Sequence, residues 1–541
     1  IDSATAKIGK TKTRPLYLSE NGTFTDQLKS KRLTQYIMGQ FQQIGTGGDE
    51  DKTMYGIAKQ AFRHCGIFGT GVVHFYTTPD GKVKAETNLC EEIIVDETEG
   101  MYRKPRQLHR HRYVAREVLL EMYPKYEKEI RSLPAINENH NVFETVSDMV
   151  ETLESWHLPS GPDAKDGKHA LCIGNATLMQ EQYDEDYFPF LFMRWLPRIL
   201  GFYGMGLAEE LLGIQLEINK LLRNIQISQN LMAVPQIWLE YQSRTIKKKI
   251  NNEIGGIKYY LGRPPIFTVP QAMGGEVYQH LERLYQRAYE ITGISLLSAT
   301  SQKPAGLNAA VALREYKDTE TERFAIQQDM YENFFIEAAE MIRKQCRNLK
   351  EKGFNPVVQF KDGSSMKTIK FSDVDVPDSK IVVSARPSNL LPKEPAGRIQ
   401  YVQELIQAGI YSKEEALDLL EFPDTTKINN IKLGSRHVVI HTVEKMVEDN
   451  IYIAPEPYMN LDFAIEYAQS YYSRGKIDEM PEERMELLRR FMSDCERLIQ
   501  KRQEAVQNQM MAQQAMQQEQ AKADMRSNGT FRFYVKHKNG Q

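Results

Sequence analysis

The chain has 541 residues, with 69 Lys plus Arg against 72 Asp plus Glu, for a formal net charge of −3. That balance excludes a globally basic nucleic-acid binder, so any phosphate contact has to come from local patches or from geometry. Apolar residues make up 41% and charged residues 26%, enough to bury a core and too apolar for global disorder.

At roughly 150 residues per domain the length predicts about three or four structural units. The densest apolar run, Phe188 to Trp195, is broken by Pro189 and Arg194. It offers no membrane span of about 18 apolar residues. The five cysteines (Cys65, Cys90, Cys172, Cys346, Cys495) are widely spaced, odd in number and without a C-x-x-C pair. They read as reduced thiols in a cytoplasmic setting. Residues 1–12 lack an apolar core, which predicts no signal peptide, and the opening Ile suggests that leading residues were lost.

Residues 1–200 read as α+β. Apolar alternation predicts strands at Gly71–Thr77 and Glu92–Asp96, the first ended by the turn Pro79-Asp-Gly-Lys. Helices are expected around Ser30–Gln43, Tyr55–Cys65 and Arg116–Glu129. From Gly206 the pattern changes. Leu207, Leu211, Ile214, Ile218, Leu221 and Ile225 recur in steps of four and three, a narrow seam suited to helix-against-helix packing. This helix should run to Met232, about 40 Å at 1.5 Å per residue, and stop before Pro235.

Residues 233–271 hold two short β-prone runs, Gln236–Tyr241 and Gly256–Leu261, between Pro and Gly punctuation. Six cations (Arg244, Lys247, Lys248, Lys249, Lys258, Arg263) oppose two acids there, Glu240 and Glu253. They form either an ordinary solvated lysine run or a docking or DNA-exit surface. A second helix is expected over Gly275–Thr292, with Val277, Leu281, Leu284, Ala288 and Ile291 on one face. Ser295–Asn308 is small, polar and punctuated by Pro304 and Gly306, so it reads as a loop. Ala309 to Lys352 has no Gly or Pro and permits one helix of about 65 Å. Strands return at Pro356–Phe360, Thr368–Phe371 and Lys380–Ser384. Residues 396–500 read as helical, and Ala505–Lys522 as an exposed or self-associating Gln/Met/Ala-rich helix.

Motifs for chemistry are absent or poor. Gly47-Gly-Asp-Glu-Asp-Lys-Thr53 puts carboxylates where a phosphate loop needs backbone N–H groups, so it reads as a solvated acidic loop. Gly66-Ile-Phe-Gly-Thr-Gly71 leads into a strand, the wrong context for a dinucleotide site and the right one for a tight turn. His109 and His111 have no partner at metal spacing and read as a basic surface patch or inter-subunit contact. Asp184–Asp186 reads as a solvated turn. No catalytic, cofactor or metal residues are predicted.

The order of elements then becomes informative. A long helix, a small basic β excursion, a second helix, a loop and a very long helix resemble the portal (head-to-tail connector) proteins of tailed bacteriophages. The stretch Ile291-Thr-Gly-Ile-Ser-Leu-Leu-Ser-Ala-Thr-Ser-Gln-Lys-Pro-Ala-Gly-Leu-Asn-Ala-Ala-Val-Ala-Leu-Arg-Glu315, continuing to Phe324, is similar to the junction from stem through tunnel loop to wing. Phe68-Gly-Thr-Gly-Val-Val-His-Phe75 resembles a portal wing strand. The resemblance covers roughly residues 15–420.

It implies a predominantly helical α+β portal fold that assembles as a ring around a central channel. The wing would be residues 1–204, the first stem helix 205–232, the clip 233–271 and the second stem helix 272–294. The tunnel loop would be 295–308, a second wing part 309–395, and a crown and C-terminal helical region, possibly a barrel, 396–541. It further implies about twelve copies at one capsid vertex of the virion, assembled in the host cytoplasm with scaffold and major capsid protein. Double-stranded DNA would be packaged, retained and ejected through the channel. Terminase and later adaptor or tail proteins would dock on the clip, with no cofactor and no membrane.

Within that scheme the clip surface is Arg244, Lys247, Lys248, Lys249, Lys258 and Arg263. The stem seam is Leu207, Leu211, Ile214, Ile218, Leu221 and Ile225. Ser301, Gln302 and Lys303 face DNA from the tunnel loop, where Lys303 either forms a cationic collar that touches phosphates without reading bases or only solvates the loop. The alternatives are a virion or scaffold interaction protein that closes no ring, and a nucleotide-dependent packaging enzyme.

Overall fold

The computed structural model describes residues 1–9, 12–19, 24–45, 52–134, 148–161, 164–174, 176–233, 236–238, 266–268, 274–293, 324–362, 365–377, 381–387, 403, 405–407 and 426–538. Among them the chain is α+β with helix predominating. It opens with α1 (Asp2–Ile8), β1 (Thr13–Ser19), α2 (Phe24–Gln43), α3 (Met54–Phe68), β2 (Thr70–Thr77), β3 (Val83–Asn88), β4 (Ile93–Ile94) and α4 (Glu97–Gly100). There follow β5 (Gln107–Ala115), α5 (Arg116–Met122), α6 (Glu127–Ser132), β6 (Met149–His157), β7 (Lys168–Ile173), β8 (Ala176–Gln182), β9 (Phe190–Arg194), β10 (Leu196–Pro197) and β11 (Gly204–Met205). Then come α7 (Leu207–Ala233), β12 (Gln236–Trp238), β13 (Ile266–Thr268), α8 (Gly275–Thr292), α9 (Ala325–Glu351), β14 (Val357–Asp362), β15 (Ser365–Lys370) and β16 (Ile381–Pro387). The last helices are α10 (Thr426–Asp449), α11 (Leu461–Ile477) and α12 (Glu482–Lys538).

Two compact units form, and neither is one stretch of chain. The first holds residues 1–16, 35–372 and 384–388; the second holds 17–34, 373–383 and 389–541.

The first unit is built on two antiparallel sheets, β3-β2-β9 and β4-β5-β6-β7-β8. Strand β2 is buried on both faces over its first six residues, which is why it reads as a near-continuous apolar run. Helix α3 packs on it through Ile57, Ala58, Ala61, Phe62 and Cys65, a helical stripe of buried side chains. Its first turn is closed by Thr53, whose hydroxyl accepts from the Gly56 N–H at 3.2 Å. Helix α9 packs on the same sheet and brings Tyr331, Phe334 and Phe335 against Phe62, Phe41 and Tyr55. Burial of each such ring stabilises the unit by about 1.5–3 kcal/mol.

The second unit is centred on α10, α11 and α12, with Val443, Met446, Ala464, Ala468, Leu488 and Phe491 in its core. Asn460 caps α11 by accepting from the Phe463 N–H. Lys31 and Arg32 reach Glu444 and Glu448 of α10, each at 3.3 Å.

Several elements differ from expectation. The helix expected over Arg116–Glu129 is two helices, α5 and α6, because Pro124 cannot continue the first. The strand expected over Glu92–Asp96 shrinks to Ile93–Ile94, since Asp96 instead caps α4 through the N–H groups of Thr98 and Glu99. The long helix expected from Ala309 is described from Ala325, and 309–323 lie outside the described residues. The Ala505–Lys522 segment is no separate element; it continues α12, whose 57 residues span about 85 Å. Among the described residues no helix is long and apolar enough to cross a membrane.

Candidate functional site: the helical hairpin and its root

Helices α7 and α8 pack against each other, and their facing ends are joined by the antiparallel pair β12–β13, with Ile237 opposite Phe267. The pair is therefore an antiparallel hairpin of two rods with a β tip. On α7, Leu207, Ile218 and Ile225 are buried and Leu211, Ile214 and Leu221 half-buried, while the residues between them are mainly exposed. On α8, Val277, Leu281, Leu284 and Ala288 are half-buried, whereas Ile291 is exposed. Both seams follow the 3.5-residue spacing at which straight rods stay in contact along their length.

The rest of α7 is not a plain solvated face. Leu212, Leu216, Ile227 and Leu231 lie roughly opposite the seam and are all about half exposed (56%, 53%, 47% and 48%). They give α7 a second apolar stripe besides the one that meets α8. Tyr278 and Tyr285 on α8 are exposed as well. At the tip, Trp238 and Ile266 face each other in the ladder and both are open to solvent.

The root of α7 is set by glycines. Gly69 ends α3 in the left-handed region (φ 85°) and donates its N–H to the Cys65 carbonyl. A Cβ at Gly69 would collide with the Gly204 carbonyl, one at Gly71 with the Ala61 carbonyl, and one at Gly206 would stand 2.7 Å from the Gly69 nitrogen. The absence of side chains lets three backbone segments touch. The Gly204 N–H donates to Thr70 Oγ1 at 2.9 Å, and the Trp195 N–H to the Gly69 carbonyl at 3.1 Å. The Gly206 carbonyl then accepts the Glu209 and Glu210 N–H groups and starts α7. The Gly-Thr-Gly turn read from the sequence is thus the anchor of the hairpin on the sheet.

Behind the root a charged network ties the two sheets together. Arg110 on β5 donates to Glu154 on β6 (2.5 Å), to Glu86 on β3 (3.1 Å) and to His74 Nδ1 on β2 (2.8 Å). A guanidinium only donates, so His74 Nδ1 carries a lone pair and the ring is neutral. Its 3.4 Å approach to Glu86 is therefore not a hydrogen bond. Burial pushes the His74 pKa down to about 4. His169 Nε2 faces Glu154 at 2.9 Å and Nδ1 faces Glu181 at 2.7 Å, and only the imidazolium can donate both ways. Burial opposes that charge, but the two carboxylates outweigh it and raise the His169 pKa. Burial would likewise raise the Glu154 pKa, yet the His169 hydrogen bond and the Arg110 charge bring it down to about 2.

The sequence reading stopped at His109 and His111 and missed Arg110 between them. The two histidines face the other side of β5 and are taken by Ser155 Oγ (2.8 Å) and Glu151 (2.8 Å). Strand alternation was the available signal: if the histidines share one face, Arg110 and Arg112 share the opposite one.

Other sequence-predicted residues fall elsewhere. Ser301, Gln302 and Lys303, and Arg244, Lys247, Lys248, Lys249, Lys258 and Arg263, lie outside the described residues, as does the acidic 46–51 stretch. Asp186 is exposed and lies 3.9 Å from Lys344.

No curated protein matches the chain. Residues 164–335 match the family model of the phage SU10 portal protein. The matched stretch runs from the five-stranded sheet through the root and the hairpin into α9. The resemblance drawn from the order of elements therefore rests on a second, separate observation, which supports a phage portal protein.

Proposed function

We propose that the chain is the subunit of a portal ring at one capsid vertex, through which double-stranded DNA is packaged, retained and ejected. The observation that carries this reading is the second apolar face of α7. One face serves the α8 of the same copy, and Leu212, Leu216, Ile227 and Leu231 await a neighbouring rod. A closed ring of tilted hairpins supplies that neighbour to every copy.

In this reading α7 and α8 are the stem, residues 233–271 the clip, 295–308 the tunnel loop and the two-sheet body the wing. The near-neutral charge of the chain suits a conduit, because each lysine or arginine fixed on a phosphate adds affinity and slows sliding. The chain performs no catalysis; a separate terminase supplies the motor and docks on Arg244, Lys247–Lys249, Lys258 and Arg263 before adaptor or tail proteins replace it. Lys303, with Ser301 and Gln302, touches the DNA backbone.

Negative-stain images of the purified protein test the proposal. Rings with a central hole wide enough for a duplex support it, and monomers or irregular aggregates reject it. ATP hydrolysis by the purified chain would instead favour a packaging enzyme.

A further inference from the structure

Two groups of exposed apolar side chains stand at opposite ends of β5. At its start two turns are fastened together. The Gly201 N–H donates to the Met101 carbonyl at 2.9 Å, and Phe202 packs beneath Gly100 within a buried cluster. The turns lift Met101, Tyr102, Ile199 and Leu200 into solvent, with Ile199 94% and Tyr102 74% exposed. Gly201 (φ 106°) and Arg103 (φ 61°) both hold left-handed backbone, which for arginine is a strained conformation that the surroundings must enforce.

Arg103 and Lys104 flank this knuckle and are exposed. Arg198 is drawn away to Glu209, and Glu99 accepts the N–H groups of Arg106 and Gln107. Asp96, Glu97 and Glu99 lie on the preceding turn, so the positive charge is local to Arg103 and Lys104.

At the other end of β5, α5 turns Val118 and Met122 outward, 45% and 62% exposed and one helical turn apart. Glu117 and Glu121 stand beside them, both exposed, and with Lys125 nearby the patch is negative on balance. The inner side of α5 is fixed by buried Leu119 and by Arg116, which pairs with Asp148 at 2.6 Å.

The nine-residue strand holds the two patches about 30 Å apart, so they cannot meet within one copy. An apolar knuckle carrying Arg103 and Lys104, and an apolar helix face carrying Glu117 and Glu121 at another place on the chain, suit a head-to-tail contact, the kind that repeats from copy to copy and closes into a ring. We propose that the Met101–Lys104 and Ile199–Leu200 knuckle of one copy docks on α5 of the next, a second ring contact in the wing beside the stem. This rests on the ring reading above. Rigid apolar anchors lose little freedom on docking, and the opposed charges fix register and direction.

The experiment starts from wild-type protein, whose rings or lack of them decide the portal reading by itself. With rings in hand, light and 15N-labelled copies are co-assembled and treated with a zero-length carbodiimide. Cross-links joining Lys104 of one isotope to Glu117 or Glu121 of the other are expected. Arg103→Glu with Lys104→Glu, or Glu117→Lys with Glu121→Lys, should each raise the concentration for half-assembly about tenfold, with unchanged thermal unfolding of the monomer. The quadruple variant should recover assembly. Rings that form as readily in either pair variant, a quadruple variant no better than the pairs, or the lack of mixed-isotope cross-links would overturn this contact while leaving the portal reading intact.

Discussion

Replacing Arg110 with Met removes a buried cation that joins the two sheets of the first unit while keeping most of its volume. Arg110 is 8% exposed, and its loss leaves the largely buried Glu154 to His169 and Glu86 to Arg112, each with one cationic partner fewer. The Glu154 carboxyl is held at about 2 in place of 4.5, a depression worth about 3 kcal/mol that Arg110 shares with His169. Breaking a buried pair by removing one partner costs about 3–5 kcal/mol in general. The expected loss is therefore about 3 kcal/mol, read as a lower urea midpoint of the transition that Trp156 reports. Trp156 is a suitable probe because it is buried, stacks on His169 at 4.9 Å and lies 5.9 Å from the Arg110 guanidinium. Adding Glu154→Gln neutralises the acid left with His169 alone and should recover part of the loss, a coupling that a double-mutant cycle isolates. An Arg110→Met protein within 1 kcal/mol of wild type, or two substitutions with strictly additive costs, would refute the reasoning.

Further outcomes are expected. Leu216→Asp with Ile227→Asp should leave the monomer within about 0.5 kcal/mol of wild type, since both side chains are half exposed there, but should abolish rings in sedimentation; persistent rings would show that this face is not a subunit contact. Gly69→Ala adds a left-handed penalty of about 1–2 kcal/mol to a backbone collision, so chemical denaturation should show a loss of about 3 kcal/mol or more. His169 has a raised pKa, so its ion pairs stabilise the first unit fully below pH 6.5 and are lost as pH rises through the folded value, whereas neutral His74 stabilises above pH 6.5 and loses that contribution as pH falls toward about 4. His169→Gln should flatten the alkaline limb of stability against pH and leave the acid limb in place. Lys247, Lys248 and Lys249 changed together to Glu should leave rings intact and prevent motor or adaptor docking in a packaging assay; unimpaired packaging and tail joining would remove the clip assignment.

The parts of the fold that were legible in the sequence carry their signal locally. Leu207 to Ile225 keep one spacing through about five turns, and Pro235 marks an end no helix can pass. Gly69-Thr-Gly71 sits between a helical stripe and a β run, so a tight turn was the natural reading, although its contact with Gly204 and Gly206 lies more than 130 residues away.

The strands β6, β7 and β8 were missed for the opposite reason. Glu151, Glu154, His169 and Glu181 interrupt their apolar alternation, and what makes those residues affordable in a sheet is a set of cross-strand partners distant in sequence. Arg110 and Glu154 are 44 positions apart. The apolar second face of α7 was visible as extra leucines and isoleucines, but only the hairpin geometry shows that its own α8 leaves them uncovered. Pro124 was in plain view, and the continuous helix expected across it ignored the cost of a missing N–H and a steric clash.

The most direct test of the account is the rotational symmetry of the assembled protein, read from two-dimensional class averages of particles in ice. The account predicts end-on views of a closed ring, about twelve-fold, with an open centre wider than the roughly 20 Å of a DNA duplex, and side views in which paired helical rods form the narrow part beneath a broader body. Particles without a closed ring, or a ring whose centre is filled by the body of the subunit, would contradict it.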